Sequence, residues 1–382
     1  MPSSWIEPVF PYSIIFNFAT YFLLSTIFFI LFYKKIINFY QLIICLLFLL
    51  TPFLFNGFLF EWSALPDQSK YLSNSLEFRN DPIKILDGTK EFENIKLYIS
   101  SIVYAFSPII SLETYIGISL YNRALFLLSW IFFIKKKYLD EYNSILFLII
   151  PSLLLYSSVA LRDNLVIILM LWIVYFFYEK KFLFTLLILL LLSLIKIQML
   201  FIVGFFIIMS LVIKKNKIDL KNLLLITIPL IILFLFFSDS LITKINNYRI
   251  GFFLEEYGAY QSVSALKNYS YHRLDLSFSS LLIILISFLD FITPPFLKGK
   301  TSILYFIQLI EAFTIIVYLY LRIKFQKNFN IYIFLKWLCI LLLSYLLYSL
   351  VIFNDGTILR YKVPIMFFII FGYFANIRKE LK

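Results

Sequence analysis

An all-helical, multi-pass transmembrane bundle is the fold class this sequence predicts, and three observations carry that expectation. Of the 382 residues, 62% are hydrophobic and 15% charged, and the mean hydropathy is +0.91, so the polar surface that a soluble globule of this size needs is missing. Apolar runs of about twenty residues recur, long enough to cross a hydrocarbon core of roughly 30 Å as helices that satisfy their own backbone. The formal charge of +12 comes largely from lysines in short clusters between those runs. Such clusters mark the cytoplasmic side of a membrane and do not form the continuous basic face that nucleic acid requires.

The spans follow in order. The first, from about Ser13 to Tyr33, ends at Lys34-Lys35, which places the N-terminus with Glu7 outside. The second runs from about Gln41 to Phe60, and a polar outer loop from Glu61 to about Lys96 follows. Leu97 to Ile110 is short and broken by Pro108, so it is expected to be re-entrant or interfacial. Tyr115 to Ile134 is full length and ends at Lys135-Lys136-Lys137. Ile145 to Leu161 goes out, Leu165 to Tyr178 comes in to Lys180-Lys181, Phe182 to Leu194 goes out, and Leu200 to Ile213 returns to Lys214, Lys215 and Lys217. Arg162-Asp163 and Lys196 thereby fall at neighbouring outer corners.

Leu223 to Phe237 leads to a second long outer loop, Ser238 to about Leu276. Of the next two segments, Ser280 to Pro295 and Ser302 to Leu321, the proline-broken first is expected not to cross. Ile331 to Phe353 goes out, Asn354 to Tyr361 forms an outer hairpin, and Val363 to Phe374 returns to a basic tail. The expectation is therefore about eleven spans with one or two re-entrant or interfacial helices, N-terminus out and C-terminus in. No internal repeat, linker or soluble domain is visible. Residues 1–382 read as a single integral membrane domain with enlarged outer loops at about 61–96 and 238–276.

The chemistry available is narrow. Cys45 and Cys339 lie in predicted spans and His272 is the lone histidine, so neither a disulfide framework nor a Cys/His metal site can be assembled, and no cofactor is expected. Residues 1–11 carry no basic residue, and the run after them is too long for a removable signal peptide.

Intramembrane and outer-face charges are the candidates that remain. Arg123, about eight residues into its span, is either an anion site or a structural arginine paired with Glu311 or Asp290. Arg162 can grip a phosphate with Asp163 orienting it, and Lys196 recurs one hairpin later; snorkelling is the plain alternative. Asp67 is either a general base beside a lipid-linked substrate or a solvated loop acid. In the second loop Arg249, Glu256 and Tyr257 combine a cation, an acid and a ring face that suits a sugar, or an ordinary interfacial belt. Arg360 and Lys362 add two outer cations. Cations kept on a face that topology normally depletes of them argue for an anionic ligand such as a polyprenyl pyrophosphate.

In its whole-chain pattern the sequence resembles the O-antigen and exopolysaccharide repeat-unit polymerases of the Wzy type. The features shared are Phe/Ile/Leu/Tyr-rich spans, two enlarged outer loops, the Arg162-Asp163 corner and the Gly356-Thr357-Ile358-Leu359-Arg360-Tyr361 segment. The resemblance implies a multi-pass protein of the bacterial inner membrane that works without a metal. Such an enzyme transfers a glycan from one undecaprenyl pyrophosphate onto the sugar of another lipid-linked repeat, and a chain-length regulator is an implied partner. By that resemblance Arg162, Arg249 and Arg360 would hold the pyrophosphate, Arg123 and Lys196 would support them, and Asp67 or Glu256 would be the base. Two alternatives stay open. One is a GT-C-type polyprenyl-phosphate-dependent glycosyltransferase, whose first-loop acid Asp67 followed by Tyr71 resembles, although Gln68 stands where a second acid is usual. The other is a lipid-oligosaccharide flippase or other transporter without chemistry, against which the lack of two-half symmetry speaks.

Overall fold

A computed structural model of the chain describes residues 12–59, 67–82, 92–108, 114–139, 141–214, 217–218, 239–251, 273–275, 277–293, 309–310, 313, 330–352 and 355–380. Two compact units emerge, Met1–Leu200 with Arg378–Lys382, and Phe201–Ile377. Regular structure among the described residues is helical apart from a two-rung antiparallel pairing of Ile213–Lys214 (β1) with Lys217–Ile218 (β2). The protein is therefore all-helical in character.

The first unit contains α1 (Ser13–Tyr33), α2 (Phe39–Leu49), α3 (Thr51–Phe55), α4 (Asp67–Asn80), α5 (Phe92–Ala105), α6 (Tyr115–Lys135), α7 (Glu141–Ile149), α8 (Pro151–Ser157), α9 (Asp163–Tyr178) and α10 (Phe182–Lys196). α11 (Met199–Val212) follows. The second unit then adds α12 (239–251), α13 (Phe278–Ile292), α14 (Ile331–Ser349) and α15 (Asp355–Glu380). Of these, α1, α6 and α14 are long and apolar enough to cross a membrane; Phe39–Phe55 (α2 with α3), α9, α10, α11 and α13 are shorter apolar helices.

Local chemistry sets several helix ends. Asn38 opens α2 with a reciprocal capping box, accepting from Gln41 N at 2.8 Å while Gln41 Oε1 accepts from Asn38 N at 3.1 Å. Thr114 caps α6 through Gly117 N at 3.0 Å, and Asn330 caps α14 through Tyr332 N at 3.0 Å. At the other ends, Lys35, Lys137 and Lys180 adopt positive φ of 53°, 60° and 58° just beyond α1, α6 and α9. Each sits in a six-to-one closure, as in Ile36 N to Leu31 O at 2.9 Å and Tyr138 N to Phe133 O at 2.8 Å. Glycine is the usual residue there. The chain instead places a cation at the negative end of each helix dipole.

α6 is the centre of the first unit and packs against α1, α2, α3, α4, α8 and α9. In its most apolar window 78% of residues are buried, against 28% for α1, so α1 offers its surface outward and α6 does not. The polar residues Ser119, Asn122, Arg123 and Ser129 on α6 are consequently interior.

Several expected boundaries shift. The loop placed at 61–96 contains α4, whose buried edge Gln68, Tyr71, Leu72 and Ser75 has helical spacing but is half polar, which hid it. The re-entrant Leu97–Ile110 is observed as α5, which begins at Phe92 and ends at Ala105. The single span Ile145–Leu161 is two helices, broken at Ile150 where Pro151 starts α8 and ended at Ser157. Gln41–Phe60 likewise divides into α2 and α3, with Pro52 in the first turn of α3. The hairpin placed at Asn354–Tyr361 is corrected too, because α15 already begins at Asp355 and runs through Pro364. Much of the second outer loop's start is helical as α12. Leu223–Phe237 and most of Ser302–Leu321 lie outside the described residues.

Candidate functional site

Between α8 and α9 the chain leaves helical geometry in the interior of the first unit. Ser158, Val159, Ala160 and Leu161 are 0%, 0%, 0% and 1% exposed. Non-helical backbone at such depth is tolerated only where protein groups take up its N–H and C=O groups, since each one left unsatisfied costs several kcal/mol in lipid. Four side chains from four segments supply that. Asn56, just past α3, donates to Ser158 O at 3.0 Å, and Asn122 of α6 donates to Val159 O at 2.8 Å. Gln68 of α4 accepts from Ala160 N at 2.8 Å, and Tyr104 of α5 donates to Leu161 O at 2.6 Å. Thr51 and Ser158 join their hydroxyls at 2.5 Å.

This cradle presents three cations and one carboxylate. Arg162, the last residue before α9, is half-buried and donates from Nη1 to Ile195 O at 3.3 Å, while its buried Nε has no acceptor among the described residues. Asp163 opens α9, where the helix dipole favours an anion, and Lys196 closes α10, where it favours a cation. Their Nζ–Oδ1 distance is 3.0 Å, with side chains 2% and 0% exposed. The two outer corners expected from the sequence thus meet in space.

Arg123 is fully buried below the same stretch. Its Nη1 donates to Ser157 Oγ and its Nε to Phe48 O at 3.2 Å, and its guanidinium stands 5.3 Å and 5.5 Å from the ring centroids of Phe48 and Phe126. Nη2 is buried without an acceptor among the described residues. Among the described residues no carboxylate pairs with Arg123: Asp290 is exposed on α13, and Glu311 lies outside them. Asn164, next to Asp163, donates to Asn122 Oδ1 at 2.8 Å and keeps a buried Oδ1 without a donor among the described residues. Arg123, Arg162 and Lys196 against Asp163 leave two positive charges in excess, together with the positive end of α9.

Asp67 opens α4 and pairs with Lys70 at 3.5 Å in partly exposed surroundings. It precedes Gln68, so the hydrogen bond from Ala160 N ties the Asp67 end of α4 to the turn that carries Arg162. At the far end of α4, Arg79 Nε donates to Ala105 O at 2.6 Å and Nη2 to Ser107 O, clamping α4 to the end of α5; partial burial holds the Arg79 guanidinium below its ordinary pKa. Gln68, which stands where the GT-C pattern would have a second acid, is thus engaged with the buried turn.

In the second unit Arg249 is fully buried on α12 and donates to Leu350 O at 2.6 Å, at the end of α14. Arg360 and Lys362 are half-buried on α15, and Lys362 Nζ stands 5.1 Å from the Phe291 ring centroid. Glu256 and Tyr257 lie outside the described residues. Sequence reasoning missed Lys336, 4% exposed within α14, which donates to Asn376 Oδ1 at 3.0 Å and lies 5.4 Å from the Phe206 and Trp337 rings. The lone lysine in an apolar run was the signal available. It also missed Gln68 and Asn164, whose roles depend on a turn no local pattern reveals. Among the described residues no group of His, Cys, Asp and Glu could hold a metal ion. Compared with known proteins, the chain matches no family model, no curated protein and no solved structure.

Proposed function

We propose that this chain is a single integral membrane domain of the bacterial inner membrane that polymerises lipid-linked oligosaccharide repeat units on the outer face. About eleven spans with the N-terminus out and C-terminus in would place Asp67, Arg162 and Lys196 on that face. The single observation that carries the proposal is the guanidinium of Arg162, whose buried Nε has no acceptor among the described residues and which adjoins, in the chain, the buried Asp163–Lys196 pair. A buried donor left empty costs about 1–3 kcal/mol, and a diphosphate oxygen would relieve it. Arg162 would then stabilise the charge that develops on the departing undecaprenyl pyrophosphate. Asp67, held near the turn through Gln68, would accept the proton of the acceptor hydroxyl. The glycosyl carbon forms its new bond to that oxygen as the bond to the pyrophosphate oxygen breaks. No metal or cofactor enters this scheme.

Alanine at Arg162 tests the proposal. Single lipid-linked repeats should accumulate on the outer side while protein level stays normal. Repeats trapped in the cytoplasm would indicate a flippase instead, and repeats lacking one sugar would indicate a GT-C-type enzyme.

A further inference from the structure

The second unit contains a cavity of about 440 Å³ whose chemistry differs from that of the buried turn. Its walls are Asp239, Ile242, Thr243 and Asn246 on α12, facing Arg273, Leu274 and Asp275. The four α12 residues fall at helical spacing on one face. The wall opposite is pinned to them by a reciprocal pair, in which Asn246 Nδ2 donates to Leu274 O at 2.7 Å and Leu274 N donates to Asn246 Oδ1 at 2.9 Å. The two sides are therefore held in register without using their charged groups.

Those charged groups remain available. Ser277 N at 3.0 Å, Ser277 Oγ and Ser280 Oγ at 2.6 Å all donate to Asp275 Oδ1, which fixes the carboxylate's orientation and leaves Oδ2 outside all three bonds. The same bonds hold the Asp275 pKa down to about 2, so it stays ionised. Asp239 and Arg273 are exposed, line the same cavity, and form no ion pair or hydrogen bond through their side chains with any described residue. An acid and a guanidinium that share a cavity without neutralising each other offer an acceptor and a donor to a third party. Ile242 and Leu274 add apolar surface between them.

We infer that this cavity is a subsite for one ring of a neutral or amino sugar, with the hydroxyls on Asp239, Asp275 and Arg273 and the apolar ring face on Ile242 and Leu274. Two carboxylates against one guanidinium disfavour an acidic sugar and a diphosphate alike. The inference rests on the proposed glycan-handling function and narrows the sugars it accepts.

The full-length protein in nanodiscs can be probed by saturation-transfer difference NMR with galactose, N-acetylglucosamine, glucosamine and glucuronic acid. At least one of the first three should bind, with glucuronic acid weaker. Asp239→Ala and Arg273→Ala, which remove side chains bonded to no described residue, should each weaken binding about tenfold. The inference is overturned if none of the first three binds, if glucuronic acid binds best, or if both variants bind like the wild type. The two readings fail separately. Sugar binding that persists while Arg162→Ala still polymerises normally removes Arg162 from the proposed site and keeps the subsite; a polymerisation defect in Arg162→Ala with no sugar binding keeps Arg162 and removes the subsite.

Discussion

In the first unit Lys196 meets a carboxylate at 3.0 Å and Arg162 a single carbonyl, whereas in the second unit Lys336 meets two aromatic rings and an amide and Lys362 meets a ring. Both solutions bury a cation wholly or in part, yet they differ in what they leave over. Aromatic faces and an amide can satisfy an ammonium where it stands, worth about 2 kcal/mol when desolvated. The cradle around Ser158–Leu161 uses its neutral side chains on backbone groups, and the buried Arg162 Nε and Arg123 Nη2 are left without acceptors among the described residues. It is the meeting of these two guanidiniums with a buried, non-helical stretch of backbone that favours the first unit as the site.

Substitutions can break this comparison. The largest effect is expected from Asp163→Ala, which strands the buried Lys196 and should destabilise by about 3–5 kcal/mol, while Asp163→Leu with Lys196→Leu should recover most of that. Thermal unfolding in detergent reads both. If the single and double variants unfold alike, the pair is not the buried unit described here.

Next in size is Gly372→Ala in the second unit. A Cβ at Gly372 would stand 1.9 Å from Trp337 Cη2, so overpacking should cost about 1–3 kcal/mol. The same stacked Trp337 flanks Lys336, and the variant should loosen that ammonium's cage without touching the first unit.

Lys336→Met sharpens the contrast from the other direction. If the second unit's cations are structural, an uncharged side chain of similar length should cost less than about 1.5 kcal/mol and leave glycan polymerisation normal. Abolished polymerisation at wild-type stability would move the functional site to include Lys336. The smallest expected effect is a gain. Lys137→Gly relieves a left-handed φ of 60° and should stabilise by about 1 kcal/mol, read by thermal unfolding.

The helical character was legible from run length and hydropathy: α1 begins and ends at the residues expected, Ser13 and Tyr33, and α1, α6 and α14 are long and apolar enough to cross a membrane. Neighbours were less legible, since lipid-facing and protein-facing apolar residues look alike in sequence: nothing in the run itself separates the buried α6 from the exposed α1. The meeting of Arg162-Asp163 with Lys196 could be anticipated because a short hairpin joins their helices. Gln68 could not, because its partner Ala160 is 92 residues away and an amide in a polar stretch looks like a loop residue. Asp67 was singled out for its charge, and the structure shows that the residue after it is what connects α4 to the turn.

In the proposed function Arg162 holds a lipid-linked diphosphate. Binding of undecaprenyl pyrophosphate to the full-length protein in nanodiscs, compared between wild type and Arg162→Ala, tests it most directly. Loss of a charge-assisted contact should weaken binding about tenfold or more with thermal stability preserved. Equal affinity in the two proteins would contradict it.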